Sequence, residues 1–446
     1  MSQPLEPSGD LPRPATSPHR RIATGLFWVA LFVLLGKSAG AAREMAVAWR
    51  YGVGEVVDAY IFTLNLVSLP GSVWFSVLSV LLIPVITRSR SEPARLRHFI
   101  GELQMLTLLC GVGCMALTWF GLPSLLAAPW SGLSAGAQAA ALSMVGGLSL
   151  LPPLSFLASL LSVLVMASGR HRNTLLESVP SVGVLTAVIL PPGLVPEPLV
   201  WGFISGVVVQ LLALGWPMVR GGDLPSPRMG FDSPLWTVFR RGFMMLALGQ
   251  VLMSCTAIID QFFAAFLGPG NIATLSYGGR VMALVLSLGA MAIGRATLPV
   301  FSELAAGGAR SSIARLALQW AGVSWLVGLL VAAGLWISAP YLIALLFERG
   351  AFTAASTQQV TEVFRYLVIQ TPFYFGGLVL ISLLSSLQDY RAFVVSGLLV
   401  LPVKLGANWF LVPELGVAGI AFGTALMYAV TLIFMVFRVR IQLGSS

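Results

Sequence analysis

Long apolar runs and short polar breaks alternate along this chain. Twelve runs stand out, at roughly 23–49, 56–87, 98–127, 137–168, 173–192, 198–220, 235–267, 272–305, 312–346, 355–388, 390–411 and 416–437. About 20 apolar residues carry an α-helix across a bilayer, and each run meets or exceeds that length. The runs are continuous, whereas a membrane β-barrel would alternate apolar and polar positions with a period of two. The pattern therefore predicts an all-α polytopic membrane protein with about 12 transmembrane helices. The longest runs imply tilt or kinks.

The polar breaks differ from one another in charge. With the N-terminus placed inside, the cytoplasmic segments hold 18 of the 26 Lys and Arg residues, and the outer connections hold two, Arg50 and Arg349. The other six lie within the runs: Lys37, Arg43, Arg280, Arg295, Arg365 and Lys404. An excess of positive charge on one side sets orientation, so both termini are expected in the cytoplasm. The net charge of +9 is then accounted for by topology, and no nucleic-acid partner is expected. Composition agrees: 10% of residues are charged, against roughly 25% in soluble domains.

The chain also repeats itself. Pro196-Glu197 with Gly202 and Gly206 returns as Pro413-Glu414 with Gly419 and Gly423, 217 residues later. Gly52 and Gly54 return as Gly268 and Gly270, Glu44 as Asp260, Pro84 as Pro299 and Arg172 as Arg391, at offsets of 215 to 219. Two six-helix lobes of the same orientation follow, because six is even. The expected division is a polar cytoplasmic tail (1–22), a first lobe (23–220), a cytoplasmic linker (221–234) and a second lobe (235–446). Parallel repeats place a substrate path between the halves. The Gly-x-x-x-Gly pairs are read as sites of close helix packing.

Chemistry is sparse. A charge within a membrane helix costs at least about 2.5–3.5 kcal/mol, so it faces a partner or a wet cavity. Lys37 and Arg43 are six residues apart, within about 120° of each other on a helix. Arg280 and Arg295 share a later helix. These cations suit an anionic headgroup such as a diphosphate, because Arg offers a fixed fork of donors to phosphate oxygens. The alternative is structural: pairing with Glu44, Asp58 or Asp260, or snorkelling of Arg295. Asp58 can also cap the second helix, and Glu177 can pair with Arg170 or Arg172.

Cys110, Cys114 and Cys255 read as small buried hydrophobes. His19, His98 and His171 are scattered without metal-ligand spacing, so no metal is expected. No phosphate-binding loop, dinucleotide turn or nucleophile set is visible, so the chain is not expected to be an enzyme. The first 20 or so residues have no apolar core of the kind a signal peptide carries.

The segments GKSAGAARE and RYGVGEVVDAY resemble the opening of the MurJ/MviN lipid-linked oligosaccharide flippases of the multidrug/oligosaccharidyl-lipid/polysaccharide exporter superfamily. LLFERGAFTAASTQQV at 345–360, YGGRVMALVLSLGAMAIGRATLP at 277–299 and LPVKLGANWFLVPELGVAGIAFGTAL at 401–426 are similar to later parts of that family. The resemblance implies two lobes around a V-shaped cavity in the bacterial cytoplasmic membrane. It places the family's cavity cations on Lys37, Arg43 and Arg280, a missing one on Gly71, and the acid after the turn on Asp58. It implies a polyprenyl-diphosphate glycolipid as substrate, with membrane lipids and glycan polymerases as partners. The resemblance implies two further C-terminal helices in MurJ proper that are not expected here, so an exopolysaccharide repeat unit is expected to be as fitting a cargo as lipid II. The family's sodium site falls on Asp260, Lys404, Asn408 and Thr424. There the Lys404 ammonium is expected to replace the ion, which disfavours sodium as a cofactor. Two rival readings are a multidrug or metabolite exporter, and a non-transporting scaffold of a glycan-assembly complex.

Overall fold

The computed structural model of the chain describes residues 18–89, 92–168, 173–306, 310–387 and 389–444. Arg170 and Arg172, the expected partners of Glu177, lie outside the described residues. The first lobe comprises α1 (Pro18–Tyr51), α2 (Glu55–Arg88), α3 (Pro93–Ala127), α4 (Ala135–Leu148), α5 (Leu151–Ala167), α6 (Asn173–Leu176), α7 (Val179–Ile189) and α8 (Pro198–Arg220). The second comprises α9 (Leu235–Phe266), α10 (Asn271–Ala306), α11 (Arg310–Phe347), α12 (Ala354–Val368), α13 (Gln370–Ser386), α14 (Tyr390–Leu415) and α15 (Val417–Gly444). No strand occurs among the described residues.

The twelve apolar runs map onto these helices one for one, with three of them broken. The fourth run is α4 and α5, bent by 53°. Pro152 and Pro153 open α5, and a proline there has no N–H to continue the helix before it. The fifth run is α6 and α7, interrupted two residues before Pro180, and the tenth is α12 and α13. Among the described residues, nine helices are long and apolar enough to span a bilayer, or ten with the bent pair. The helices of the first and fifth runs, α1 and the α6–α7 pair, are not among them.

Burial divides the bundle unevenly along its axis. At the end carrying the α1–α2, α3–α4, α7–α8, α9–α10, α11–α12 and α14–α15 connections, one apolar core joins both lobes. It runs from Val47 and Phe62 through Leu148 and Val200 to Tyr277, Phe347, Phe364 and Ile420. At the other end there are two separate cores. One gathers Trp74, Phe99, Phe156 and Leu214 with Trp236 and Phe239 of α9. The other gathers Phe301, Ala317, Leu383 and Val439. Apart from the foot of α9, which packs with the first lobe, the halves are thus joined at one end and parted at the other.

The repeated glycines pack as expected. A Cβ on Gly206 would lie 2.6 Å from Pro180 Cα on α7, and one on Gly419 would lie 2.5 Å from the Leu411 carbonyl oxygen on α14. In each lobe, small residues let the last helix approach its predecessor closely.

Candidate functional site: a cationic cavity between the lobes

Where the lobes begin to part, a cavity of about 550 Å³ opens between α1, the start of α7, α10 and the end of α11. Its walls carry Lys37, Arg43 and Arg280, the three cations singled out from the sequence, together with Glu44 and Glu177. Arg43 Nε donates to Glu44 Oε1 at 2.9 Å, and Arg280 Nη1 lies 3.0 Å from the same oxygen. Arg43 Nη1 also reaches Ser181 Oγ at 3.4 Å. One carboxylate therefore serves two guanidinium groups. Lys37, one to two turns along α1, has no ion pair among the described residues, and Arg280 Nε is buried without an acceptor. A positive excess with spare donors is costly in a low-dielectric setting until an anion arrives to meet it.

The remaining cations and the vacant cation position sort differently. Arg295 is exposed on α10, and Arg365 donates from Nε to the Trp336 carbonyl at 3.2 Å and stacks over the Trp336 ring. Gly71 faces α5, where a Cβ would lie 2.6 Å from Ser155 Oγ, and it does not line the cavity.

Asp58 is not brought to the cavity. It is buried at the joined end, and its carboxylate accepts from the backbone N–H groups of Gly270 and, at 2.7 Å, of Ala273. It caps α10 of the opposite lobe and not its own helix, whose N-cap Gly54 makes no side-chain bond. A helix N-terminus has unpaired donors and a partial positive charge, which suits a buried carboxylate. Nearby, Tyr277 Oη donates to the Gly52 carbonyl at 3.1 Å, and Ala351 N donates to the Trp49 carbonyl at 2.8 Å. Gly350 sits at φ +60°, and a Cβ there would lie 2.4 Å from the Trp49 oxygen. The RYGVG, LGPGN and FERGAF turns thus clasp one another across the lobes.

Asp260, Lys404, Asn408 and Thr424 meet in the second lobe. Lys404 Nζ lies 2.9 Å from Asp260 Oδ1 and donates to the Ile420 carbonyl at 3.0 Å and to Thr424 Oγ1 at 2.5 Å. Its three protons thus have three acceptors. Asn408 Nδ2 donates to the same Asp260 oxygen at 2.9 Å.

A fourth grouping was not legible in the sequence. Glu102 of α3 is fully buried and accepts from Trp236 Nε1 at 2.6 Å, Asp232 N at 2.9 Å and Ser233 N at 3.4 Å. His98 Nε2 lies 2.8 Å from Asp232 Oδ1 and 3.1 Å from Glu102 Oε1, so this histidine is not isolated as its spacing suggested. The imidazole holds the Asp232 carboxyl below the usual carboxylate range. Arg97 and the Gly101 carbonyl add bonds to Gly222 and Arg228. The linker is stapled to α3.

A two-lobe bundle of long apolar helices with charged side chains at its centre defines a polytopic helical membrane protein. More particularly, the chain belongs to the lipid II flippase MurJ family, whose model matches residues 51–445. It is 25% identical to the probable lipid II flippase MurJ of Vibrio cholerae, with 92% of this chain and 81% of that protein covered. It is 26% identical to the probable lipid II flippase MurJ of Bdellovibrio bacteriovorus, with 54% and 46% covered. For Helicobacter pylori the values are 30% identity, 51% and 53%. The chain thus spans about half the length of these last two relatives. Among solved structures, its fold is similar to a lipid II flippase MurJ in an inward closed conformation (TM-score 0.82, 16% identity, 93% of this chain and 87% of that one). It is also similar to an inward-facing multidrug resistance MATE family transporter of the MOP superfamily (TM-score 0.71, 14% identity, 92% and 94%). Family membership makes it a multi-pass protein of the bacterial cytoplasmic membrane.

Proposed function

We propose that the chain flips a polyprenyl-diphosphate-linked saccharide from the cytoplasmic to the outer leaflet by alternating access. The observation that carries this reading is the meeting of Lys37, Arg43 and Arg280 in one cavity where the lobes part. Three cations share it with two carboxylates, which leaves the lining net positive and suited to an anionic diphosphate. The charge distribution along the sequence puts both termini and the parted end in the cytoplasm, so the cavity in this state is fed from inside. The clasped turns close it towards the outside. Rocking of the lobes, which requires releasing Asp58 from α10, would reverse access.

The cargo is a glycan precursor of the lipid II type or an exopolysaccharide repeat unit, with membrane lipids around it and glycan polymerases as recipients on the outer face. In the second lobe, Lys404 holds the place of a coupling cation on Asp260, so transport is independent of a sodium gradient. A carrier of cationic drugs would present acids, and the cavity's charge speaks against it. The test is Arg280→Ala. Purified wild-type protein should carry a diphosphate glycolipid visible by native mass spectrometry, and the variant should fold, lose that lipid and fail to flip it in reconstituted vesicles. Retention of flipping by Arg280→Ala would leave the scaffold reading standing in its place.

A further inference from the structure

A cluster of metal-ligating side chains lies away from the cavity, at the parted end, where the linker meets α3. His98 Nε2 is 3.1 Å from Glu102 Oε1, one turn along the same helix, and 2.8 Å from Asp232 Oδ1 of the linker. These three atoms all lie within 4.8 Å of one another. Spacing along the chain could not show the grouping, because Asp232 comes 134 residues after His98. The place is also outside the apolar layer. α3 has 35 residues, about 52 Å at 1.5 Å per residue, and a bilayer core is about 30 Å thick, so its first turns reach into water.

Hydrogen bonding alone leaves the cluster poorly balanced. Two carboxylates converge on one ring nitrogen, which holds at most one proton. Among the described residues His98 is the one basic partner of either carboxylate; Arg95 pairs with Glu92, and Arg97 donates to the Gly222 carbonyl. Glu102 is wholly buried, yet its bonds do not use it up. Its Oε2 accepts from Trp236 Nε1 and Ser233 N, and its Oε1 accepts from Asp232 N. A carboxylate has about four acceptor positions, so Oε1 keeps one more, and His98 Nε2 is the atom that covers it. The three N–H groups hold this carboxylate in place as supporting bonds hold a metal ligand. The His98 and Asp232 side chains are 37% and 75% exposed, so the cluster opens to solvent on one side. Gly230 leaves a further edge bare: a Cβ there would lie 3.2 Å from both Asp232 Oδ1 and Glu102 Oε1.

We infer that His98, Glu102 and Asp232 form a divalent-metal site that takes Zn²⁺. An imidazole nitrogen and two carboxylate oxygens are zinc ligands, and three protein ligands leave a fourth position for water. The two carboxylates balance the charge of the ion. Zn–N and Zn–O bonds of about 2.0–2.1 Å set the ligand atoms of a tetrahedron about 3.3–3.4 Å apart. The two distances from His98 Nε2 therefore open by a few tenths of an ångström. The ion takes the place of the shared proton, and the ring keeps its proton on Nδ1. Asp232, the exposed member, makes the adjustment on the third edge. The ion ties α3 to the linker, and so the first lobe to the foot of α9, whatever the cavity carries.

The test is a calorimetric titration with zinc chloride. It uses the full-length protein in lipid nanodiscs, without a polyhistidine tag and stripped beforehand with a chelator. Wild type should take up one Zn²⁺ per chain with a dissociation constant of about 1 μM or tighter. Zinc at a hundredfold excess over that constant should raise its melting temperature by a few degrees. His98→Ala should bind at least about tenfold more weakly and lose the thermal shift. Asp232→Asn should do the same; it keeps an acceptor for the His98 N–H but not the anionic ligand, and it covers the case in which the alanine variant does not fold. The double variant His19→Ala/His171→Ala should bind as wild type does. Absence of stoichiometric uptake by wild type would overturn the site. So would undiminished binding by His98→Ala or Asp232→Asn, which would leave a plain His–Asp hydrogen bond and adventitious zinc elsewhere. Neither result touches the flippase reading.

Discussion

Glu44 governs how the three cavity cations behave. Two guanidinium groups converge on its Oε1, so the carboxylate acts as a resident counter-ion in the place a diphosphate would take. Removing one partner of a buried charge group costs about 3–5 kcal/mol, because the other is left uncompensated. Glu44→Gln should therefore melt at lower temperature than wild type, and added inorganic diphosphate should restore more stability to the variant than it adds to wild type. Thermal unfolding with and without diphosphate reads this directly; an equal shift in both proteins would mean that the anion does not sit on the arginines. Lys404 poses the converse case. Lys404→Asn takes the ammonium away from Asp260 and leaves a carboxylate facing Asn408 and Thr424. Sodium should raise the melting temperature of that variant and leave wild type unmoved, and a sodium-dependent shift in wild type would count against the resident ammonium. These residues were legible in the sequence because a charge in an apolar run announces itself by its cost. Ser178 and Ser181, which also line the cavity, gave no such signal, since serine is cheap in a membrane helix; their one cue was the neighbouring Pro180, which breaks the run.

At the scale of elements, twelve segments were readable from hydropathy, while their breaks and caps were only partly so. Pro152 and Pro153 foretell the bend between α4 and α5. What the chain order conceals is pairing across distance. Asp58 and the N–H donors it meets on α10 are more than two hundred residues apart, and Asp58 beside the Gly52 turn reads naturally as a cap for its own helix. Glu55 has the matching task within its lobe, where its Oε1 accepts from Ser134 Oγ at 2.6 Å at the start of α4. Asp58→Ala would strand two buried N–H groups, each worth about 1–3 kcal/mol if unmet. The clasp between the lobes should then loosen: a cysteine placed at Val53, which lies against Gly270, should react faster with a membrane-impermeant thiol reagent added from outside. An unchanged rate would mean that the aromatic cluster of Tyr277, Phe347 and Phe352 holds this end by itself.

At the scale of the molecule, the repeat legible in the sequence predicts two equal halves meeting at the linker. The distribution of burial is less symmetrical. Trp236 and Phe239, at the start of the second lobe's first helix, pack with Phe99 of α3, at ring separations of 5.1 and 5.8 Å. Gly242 faces Leu81 of α2. Higher on the same helix, Phe262 packs edge-on to Phe62 in the common core. A cysteine pair at positions 99 and 239, once oxidised, should leave flipping nearly as fast as in the reduced protein, whereas a pair tying Val53 to Gly270 should stop it. Arrest by the first pair would show that α9 separates from α3 in every cycle.

The stapling of residues 221–234 by Glu102 has a mechanical consequence. A tether that loose sequence would make into a slack hinge is, through three hydrogen bonds to one carboxylate, a fixed post. The foot of α9 is bolted to the neighbouring half, so the polar joint that divides the two halves in the sequence is not a slack hinge.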